Sequence, residues 1–422
     1  MKPQEIGNGL VMRNACAEDL PSLLEHFSAV HGHAILEELK ALLEHHPGFS
    51  WENSFIIARH ETGEVISCVV LLQNRWSLAG ITFPTVEMEA VGTLESYRNQ
   101  GHMWRLNEEF EKRVAEIHPA FQAIAGIPCF YRNFGYEYAA KLGGGYPVAP
   151  GLVPKFSENE EEPLTFEQIG INSFEEFLRF RNKHLSSEPW RNTWHRDLLP
   201  EDSSYLLFKP TSEEGDCFLY YLVKDAGQTV GVFYLGHYES GIDIAELYLD
   251  SYELVDAVLR FALAKSEEWG GLPLRVAPPN QSQIREYIRM RSSVDTIRRY
   301  AWYIKIPSIS RFIRIIAPLL AARLKNTEFH SFSGELKITD YKNGYTLVFE
   351  EGKLRGLTDN EDRNPRKYDL RMSRGALTRL LMGYQTFDDL ALHEPDTICL
   401  PAMRPLVRAL FPLLAANVDP PF

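Results

Sequence analysis

At 422 residues the chain exceeds what one ordinary hydrophobic core can serve, so two or three domains are expected. Its make-up, 45% hydrophobic and 24% charged, is that of a globular protein, and no apolar run approaches the roughly 20 residues of a membrane helix. A formal net charge of −13 argues against a nucleic-acid partner. It suits a cationic substrate, although solubility is the plainer reason. Cys16, Cys68, Cys129, Cys217 and Cys399 are scattered with no C-x-x-C pair. That usage reads as reduced thiols in a cytoplasmic protein. The first residues, MKPQEIGNGLV, have neither the basic flank nor the apolar core of a signal peptide.

Along the chain, AEDLPSLLEHF (17–27) reads as a helix with a charged first turn and an apolar face of Leu20, Leu23, Leu24 and Phe27. Strands are predicted at 54–59, 64–72, 76–82 and 86–93, with ETG (61–63) and QN (73–74) as turns. HMWRLNEEFEKRVAEI (102–117) has Met103, Leu106, Phe110, Val114 and Ile117 at helical spacing. A strand at 121–126, a short helix CFYRNF starting behind Pro128, and a strand GYEYAA follow. Between the 86–93 strand and the 102–117 helix stands Arg98-Asn99-Gln100-Gly101. A strand, a tight turn and a helix start gather backbone N–H groups at one point, and the helix dipole favours an anion there.

SENEEEPL (157–164) is an acidic surface loop past the first boundary, and the order then repeats. A helix at 174–185, strands at 204–208, 217–223, 228–238 and 243–250, a helix at 252–270 and a strand at 272–277 imply a duplicated fold. The second copy reads LDSYELVDAV where the first reads ESYRNQGHMW, so its anion turn is lost. Beyond residue 306 come a helix over 307–325, a small antiparallel sheet (334–340, 345–350, 353–357), and helices at 373–383, capped by Ser373, and 386–392. The final run, apolar to Phe422, is expected to dock rather than fray.

Four features together carry a family resemblance: the turn Arg98-Asn99-Gln100-Gly101-His102-Met103, the segment GIPCFYRNFGYEYA (126–139), the duplicated domain without a turn motif, and the third part. The first domain resembles the GCN5-related N-acetyltransferase fold, with Met103 at the turn's third small position. The whole order resembles the enhanced intracellular survival (Eis) family of bacterial acetyltransferases. The resemblance implies a mixed α/β (α+β) protein. Residues 1–150 would be an acetyl-CoA-binding domain, 151–305 a degenerate acetyltransferase-fold domain and 306–422 a sterol-carrier-like α+β domain. It implies acetyl-CoA as cosubstrate, no metal, no membrane, and a homo-oligomer, a hexamer or smaller.

By the same resemblance, Val91, Gly92 and Thr93 would hold the pantetheine arm. Arg98, Asn99, Gln100, Gly101, His102, Met103 and Trp104 would form the pyrophosphate loop, and Gly126 and Ile127 would meet the cofactor. Tyr131 would be the general acid and the terminal carboxylate of Phe422 the base. The acceptor would be an amine: an aminoglycoside, a polyamine or a lysine side chain.

Other residues offer alternatives. Glu87 and Glu89 stand two apart, on one face of their strand, with Val86, Met88 and Ala90 on the other. They are a rival base, ranked first as substrate-binding or surface residues. Cys129 is expected to be a packed thiol, since no paired His is evident. The histidines of HGH (31–33) and HH (45–46) lack zinc-site spacing and are expected at solvated helix ends. Arg285, Arg289, Arg291, Arg298, Arg299, Arg311 and Arg314 are read as interdomain ion-pair partners. The competing function is a non-catalytic lipid- or small-ligand-binding protein on an acetyltransferase scaffold.

Overall fold

The structure, a computed structural model, describes residues 1–33, 35–142, 145–156, 161–187, 192–207, 217–238, 240–277, 283–292, 294 and 300–418. Chain order begins β1 (Gln4–Gly7), β2 (Leu10–Asn14), α1 (Leu20–His31), α2 (Leu36–His45), β3 (Ser54–Arg59), β4 (Val65–Leu78), β5 (Ile81–Thr93), α3 (His102–Ile117), β6 (Phe121–Ile124) and β7 (Glu137–Leu142). It continues β8 (Tyr146–Pro147), β9 (Leu164–Gln168), α4 (Phe174–Leu185), β10 (Thr193–Arg196), α5 (Ser203–Leu206), β11 (Cys217–Asp225), β12 (Gln228–Tyr238), β13 (Gly241–Leu249), α6 (Val255–Glu268), β14 (Leu274–Val276) and α7 (Gln283–Arg289). The last part holds β15 (Tyr300–Lys305), α8 (Ile309–Leu324), β16 (Gly334–Thr339), β17 (Gly344–Glu350), β18 (Lys353–Asn360), β19 (Leu370–Arg371), α9 (Arg374–Leu381), α10 (Phe387–His393), β20 (Ile398–Cys399), α11 (Arg404–Leu410) and β21 (Ala415–Asn417).

These elements build a mixed α/β protein with three sheets. The first runs β1-β2-β3-β4-β5-β6-β15-β7, with β10 added to β4 and β21 to β10. The second runs β8-β14-β13-β12-β11-β9, and the third β18-β17-β16-β19-β20. Besides β10, two strands cross between the first two sheets. β15, from residues 300–305, lies antiparallel between β6 and β7. β8, from residues 146–147, pairs antiparallel with β14 in the second sheet. Each sheet thus takes the strand beside its parallel pair from the far side of the other's sequence.

Packing follows from the alternation along the strands. Val86 and Met88 join Leu106 and Phe110 of α3 in one core, whereas Ala58, Val70 and Ala90 face Leu23 and Phe27 of α1 and Leu39 and Leu42 of α2 in another. A third core joins the first sheet to the last part of the chain: Trp76, Phe83, Phe121, Trp194 and Trp302 meet Phe312 of α8 and Leu336 of β16. Their rings interlock edge to face, with centroids 5.4 Å apart for Trp76 and Trp302 and 4.8 Å for Phe83 and Trp194.

Some sequence expectations are corrected. The turn expected at Gln73-Asn74 is continuous strand. β4 and β5 form one long hairpin that turns at Ala79-Gly80, both at positive φ (52° and 77°). The strand expected at 204–208 is instead the single helical turn α5 as far as it is described. Helix α2 and strands β10 and β15 had no counterpart in the sequence reading.

Candidate active site

The site is built where β5 and β6 part. The two pair in parallel only over Thr85–Glu87 and Phe121–Ala123, yet β5 continues to Thr93 while β6 stops at Ile124. On its other side β5 pairs with β4, and there the register slips between Val70↔Glu89 and Cys68↔Gly92. Ala90 sits at the slip with φ of 49°, a left-handed value costly for a residue with a side chain. Such a bulge bends the strand and takes backbone groups out of the ladder. Gly92 follows with no room for a side chain, since a Cβ there would lie 2.8 Å from Nε2 of His26.

Beyond Thr93 the chain turns into α3 through Asn99 (φ 63°) and Gly101 (φ 78°). Arg98 is exposed and braces the turn by donating from Nε to the Thr93 carbonyl at 3.2 Å. The amides of the first turn of α3 have no partner within the helix, which makes them an anion-binding end. Met103 points inward and packs on the core beneath α3, so it leaves that end open. His102 is buried beside Tyr97, and neither ring nitrogen has a partner among the described residues. Trp104 is exposed, with its ring 4.5 Å from that of Phe134.

The opposite wall follows β6. Gly126 leaves no room for a side chain with the Tyr131 ring where it is, because a Cβ there would stand 2.0 Å from that ring. Ile127 is exposed, and Cys129, expected to be packed, is exposed as well with φ of 65°. Tyr131 is 5% exposed. Burial, then the charges of Glu89 and Tyr300, push its phenol well above the usual range, so it stays protonated at neutral pH. Two residues the sequence reading missed fix this wall from β15: Tyr300 donates its hydroxyl to the Gly126 carbonyl, and the Tyr303 hydroxyl lies 3.3 Å from the Ile127 carbonyl. The alternation of YAWYIK was the available signal.

Glu87 and Glu89 share the face of β5 away from α3, but neither is a surface residue. Glu87 is fully buried and accepts from Trp76 Nε1 at 2.9 Å and from both Arg196 Nη atoms at 2.9 and 3.2 Å. Glu89 is 6% exposed, and its Oε1 has no partner among the described residues. Burial, then the neighbouring Glu87 charge, hold it well above the usual carboxylate range, against the pull of Arg196. His46 is not a solvated histidine. Its ring packs 4.9 Å from that of Tyr205, and burial, then the charges of Arg196 and Arg75, lower it to about 3. Of the basic run, Arg291 pairs with Asp256 at 2.9 Å, whereas Arg298 and Arg299 lie outside the described residues.

Phe422 also lies outside the described residues. The chain leading to it is docked: β21 runs parallel to β10, and the carbonyl of buried Val418 accepts from Trp302 Nε1 at 2.8 Å. The second sheet has a register slip of a similar kind. β13 slips against β12 around Glu246 (φ 48°), but there Glu246 is engaged by Arg181, at 2.6 Å from Nε, and by the Tyr248 hydroxyl.

The class these features define is an acyltransferase: residues 12–139 match the family model described as acetyltransferase (GNAT) domain. The fold of the whole chain is similar to that of a probable N-acyltransferase of unknown function from Enterococcus faecalis V583, with TM-score 0.70 and 14% identity over 98% of this chain and 100% of that one. It is also similar to a GCN5-related N-acetyltransferase from Anabaena variabilis, with TM-score 0.67 and 14% identity over 97% and 98% of the two chains. Eis1 from Mycobacterium abscessus shares the fold at TM-score 0.58 and 12% identity, over 97% of this chain and 100% of that one. No curated protein sequence matches significantly. Among the described residues no helix is long and apolar enough to cross a membrane, and no group of His, Cys, Asp and Glu side chains is placed to hold a metal ion.

Proposed function

We propose that the protein is an acetyl-CoA-dependent N-acetyltransferase that acts on an amine by direct attack within a ternary complex. The observation that carries this reading is the bulge at Ala90, opposite the parted end of β6 and between the α3 turn and Tyr131. Backbone amides at Val91, Gly92 and Thr93 suit the amides of a pantetheine arm, and the turn from Arg98 to Trp104 suits a pyrophosphate. Gly126 and Ile127 would form the far wall. When bound, acetyl-CoA would supply the activated thioester.

The chain's own residues then have separate tasks. The amine nitrogen forms a bond to the acyl carbon while the carbon–sulfur bond breaks. Tyr131, protonated at neutral pH, gives its proton to the departing sulfur. The carboxylate of Phe422, at the end of a tail docked as far as Val418, takes the proton the amine must lose. A second assignment of the base is favoured by one observation: Glu89 is buried with an oxygen that no described residue satisfies. We infer units near 1–150, 151–305 and 306–422 that exchange strands. The last would be sterol-carrier-like and structural, and the whole a cytoplasmic homo-oligomer. Acceptors in view are aminoglycosides, polyamines and lysine side chains.

The test is acetyl-CoA-dependent thiol release over a panel of those amines, with an untagged C-terminus and a Tyr131→Phe control. Release that needs the amine and collapses in the control supports the transferase. Absence of both release and CoA binding overturns it.

A further inference from the structure

Two carboxyl groups lie on one buried face of β5, and the protein treats them unequally. Glu87 is saturated: Trp76 Nε1 and Arg196 Nη1 share one of its oxygens and Arg196 Nη2 takes the other. Glu89, two residues on, keeps Oε1 without a partner among the described residues. The difference comes from outside the matched acetyltransferase domain. Arg196 belongs to β10, which joins the first sheet by pairing His195 and Arg196 with Ser77 and Trp76. The Arg196 carbonyl is itself held by Arg181 Nη2 of α4 at 2.8 Å, and Trp194 Nε1 donates to the Met382 carbonyl at 2.9 Å, so this short strand is anchored on three sides.

We propose that Arg196 is a positioning residue for the transfer: by neutralising Glu87 it reserves Glu89 as the carboxyl of this face that meets the acceptor amine. This rests on the acyl-transfer reading above. Among the described residues, the charged and titratable groups that face Glu89 are Glu87 on its own strand, Arg196 from β10, Tyr131 from the loop after β6 and Tyr205 from α5. Around Arg196 stand also His46 and Asp202. A single cation between two carboxyl groups two residues apart cannot satisfy both. It is committed by bidentate geometry to Glu87, which leaves Glu89 without a partner among the described residues for its Oε1.

Opposite shifts follow from the two ends of the ion pair. Arg196→Met leaves two buried carboxyl groups with no cation, so the pair keeps its protons to higher pH. Glu87→Gln keeps an oxygen for Trp76 but frees the Arg196 charge to act on Glu89, which then loses its proton at lower pH. The acid limb of kcat/KM should move up by about one pH unit or more in the first variant and down in the second, a tenfold change in proton affinity per unit. The double variant Glu87→Gln/Arg196→Met, which buries no unpaired charge, should fall between them and folds if Arg196→Met does not.

A structural role for Arg196 would lower activity at every pH without moving the limb. Infrared difference titration reads the same groups without turnover. The protonated-carboxyl band that Glu89→Gln removes should persist to higher pH in Arg196→Met and vanish at lower pH in Glu87→Gln. Absence of that band from the wild-type protein, or the same midpoint in all variants, overturns the inference. An enzyme inactive with every amine, but whose band shifts as stated, sinks the acyl-transfer reading and leaves the charge assignment standing.

Discussion

Gly126 and Tyr131 are locked together: the hydrogen that Gly126 presents to the Tyr131 ring occupies the place where a Cβ would lie 2.0 Å from Cε2. The glycine two residues beyond β6 therefore sets where the phenol points. Gly126→Ala must push the ring, and a displacement of about 1 Å at a reacting group costs on the order of 100-fold in rate. We expect kcat to fall by about that factor, with KM for the amine changed far less. Tyr131→Phe removes the proton itself and should cost about 100- to 10,000-fold in kcat. Steady-state thiol release measures both, and an unchanged kcat in Gly126→Ala would separate Tyr131 from the chemistry.

The anion turn should govern cofactor affinity and little else. Gly101 has φ of 78°, so Gly101→Ala forces a left-handed alanine at about 1–2 kcal/mol. Arg98→Ala removes the brace to Thr93. Each should raise KM for acetyl-CoA by roughly tenfold, the equivalent of about 1.4 kcal/mol, while kcat changes less. Calorimetric titration with CoA checks the same loss without turnover.

Glu89 makes a prediction about stability. Its folded pKa is raised, so the stability it allows is full below its unfolded value of about 4.3 and is lost as pH rises towards the folded value. Glu89→Gln should therefore raise the melting temperature at neutral pH, by about 1–3 °C, and change it little near pH 4. Equal effects at both pH values would mean that the carboxyl is not held protonated.

Removing residues 419–422, or extending the chain beyond Phe422, should abolish most of kcat, by roughly 100-fold or more, if the terminal carboxylate is the base. Acetyl-CoA binding should survive, since its proposed contacts come from the turn and the bulge. Retained activity in the truncated protein, together with its loss in Glu89→Gln, would transfer the base to Glu89.

Much of the first sheet was legible because its signals are local. The periodicity of residues 102–117 gave α3 to the residue, and the R-x-x-G junction marked the turn before it. What escaped depends on distant partners. Gln73 and Asn74 look like turn residues, yet Gln73 pairs with Val86 and Asn74 with Thr85 in a hairpin arm that reaches out to receive β10. The real turn, Ala79-Gly80, lacks the Asn-Gly chemistry that flags a hairpin. β15 is a strand only because β6 and β7, more than 150 residues earlier, leave a gap for it. The inequality of Glu87 and Glu89 is invisible to spacing, because it is imposed by Arg196 from another part of the chain.

The exchange of β8 and β15 has a consequence for biogenesis. A nascent chain that has emerged only as far as Leu142, just past the matched segment 12–139, carries β6 and β7 with the space between them unfilled. The wall that holds Tyr131 is complete only when Tyr300 and Tyr303 have been translated, and the tail strand must wait longer still. Completion of the first sheet therefore requires a strand that is translated after the whole of the second. Until then its exposed strand edges are the surface that holding chaperones would recognise.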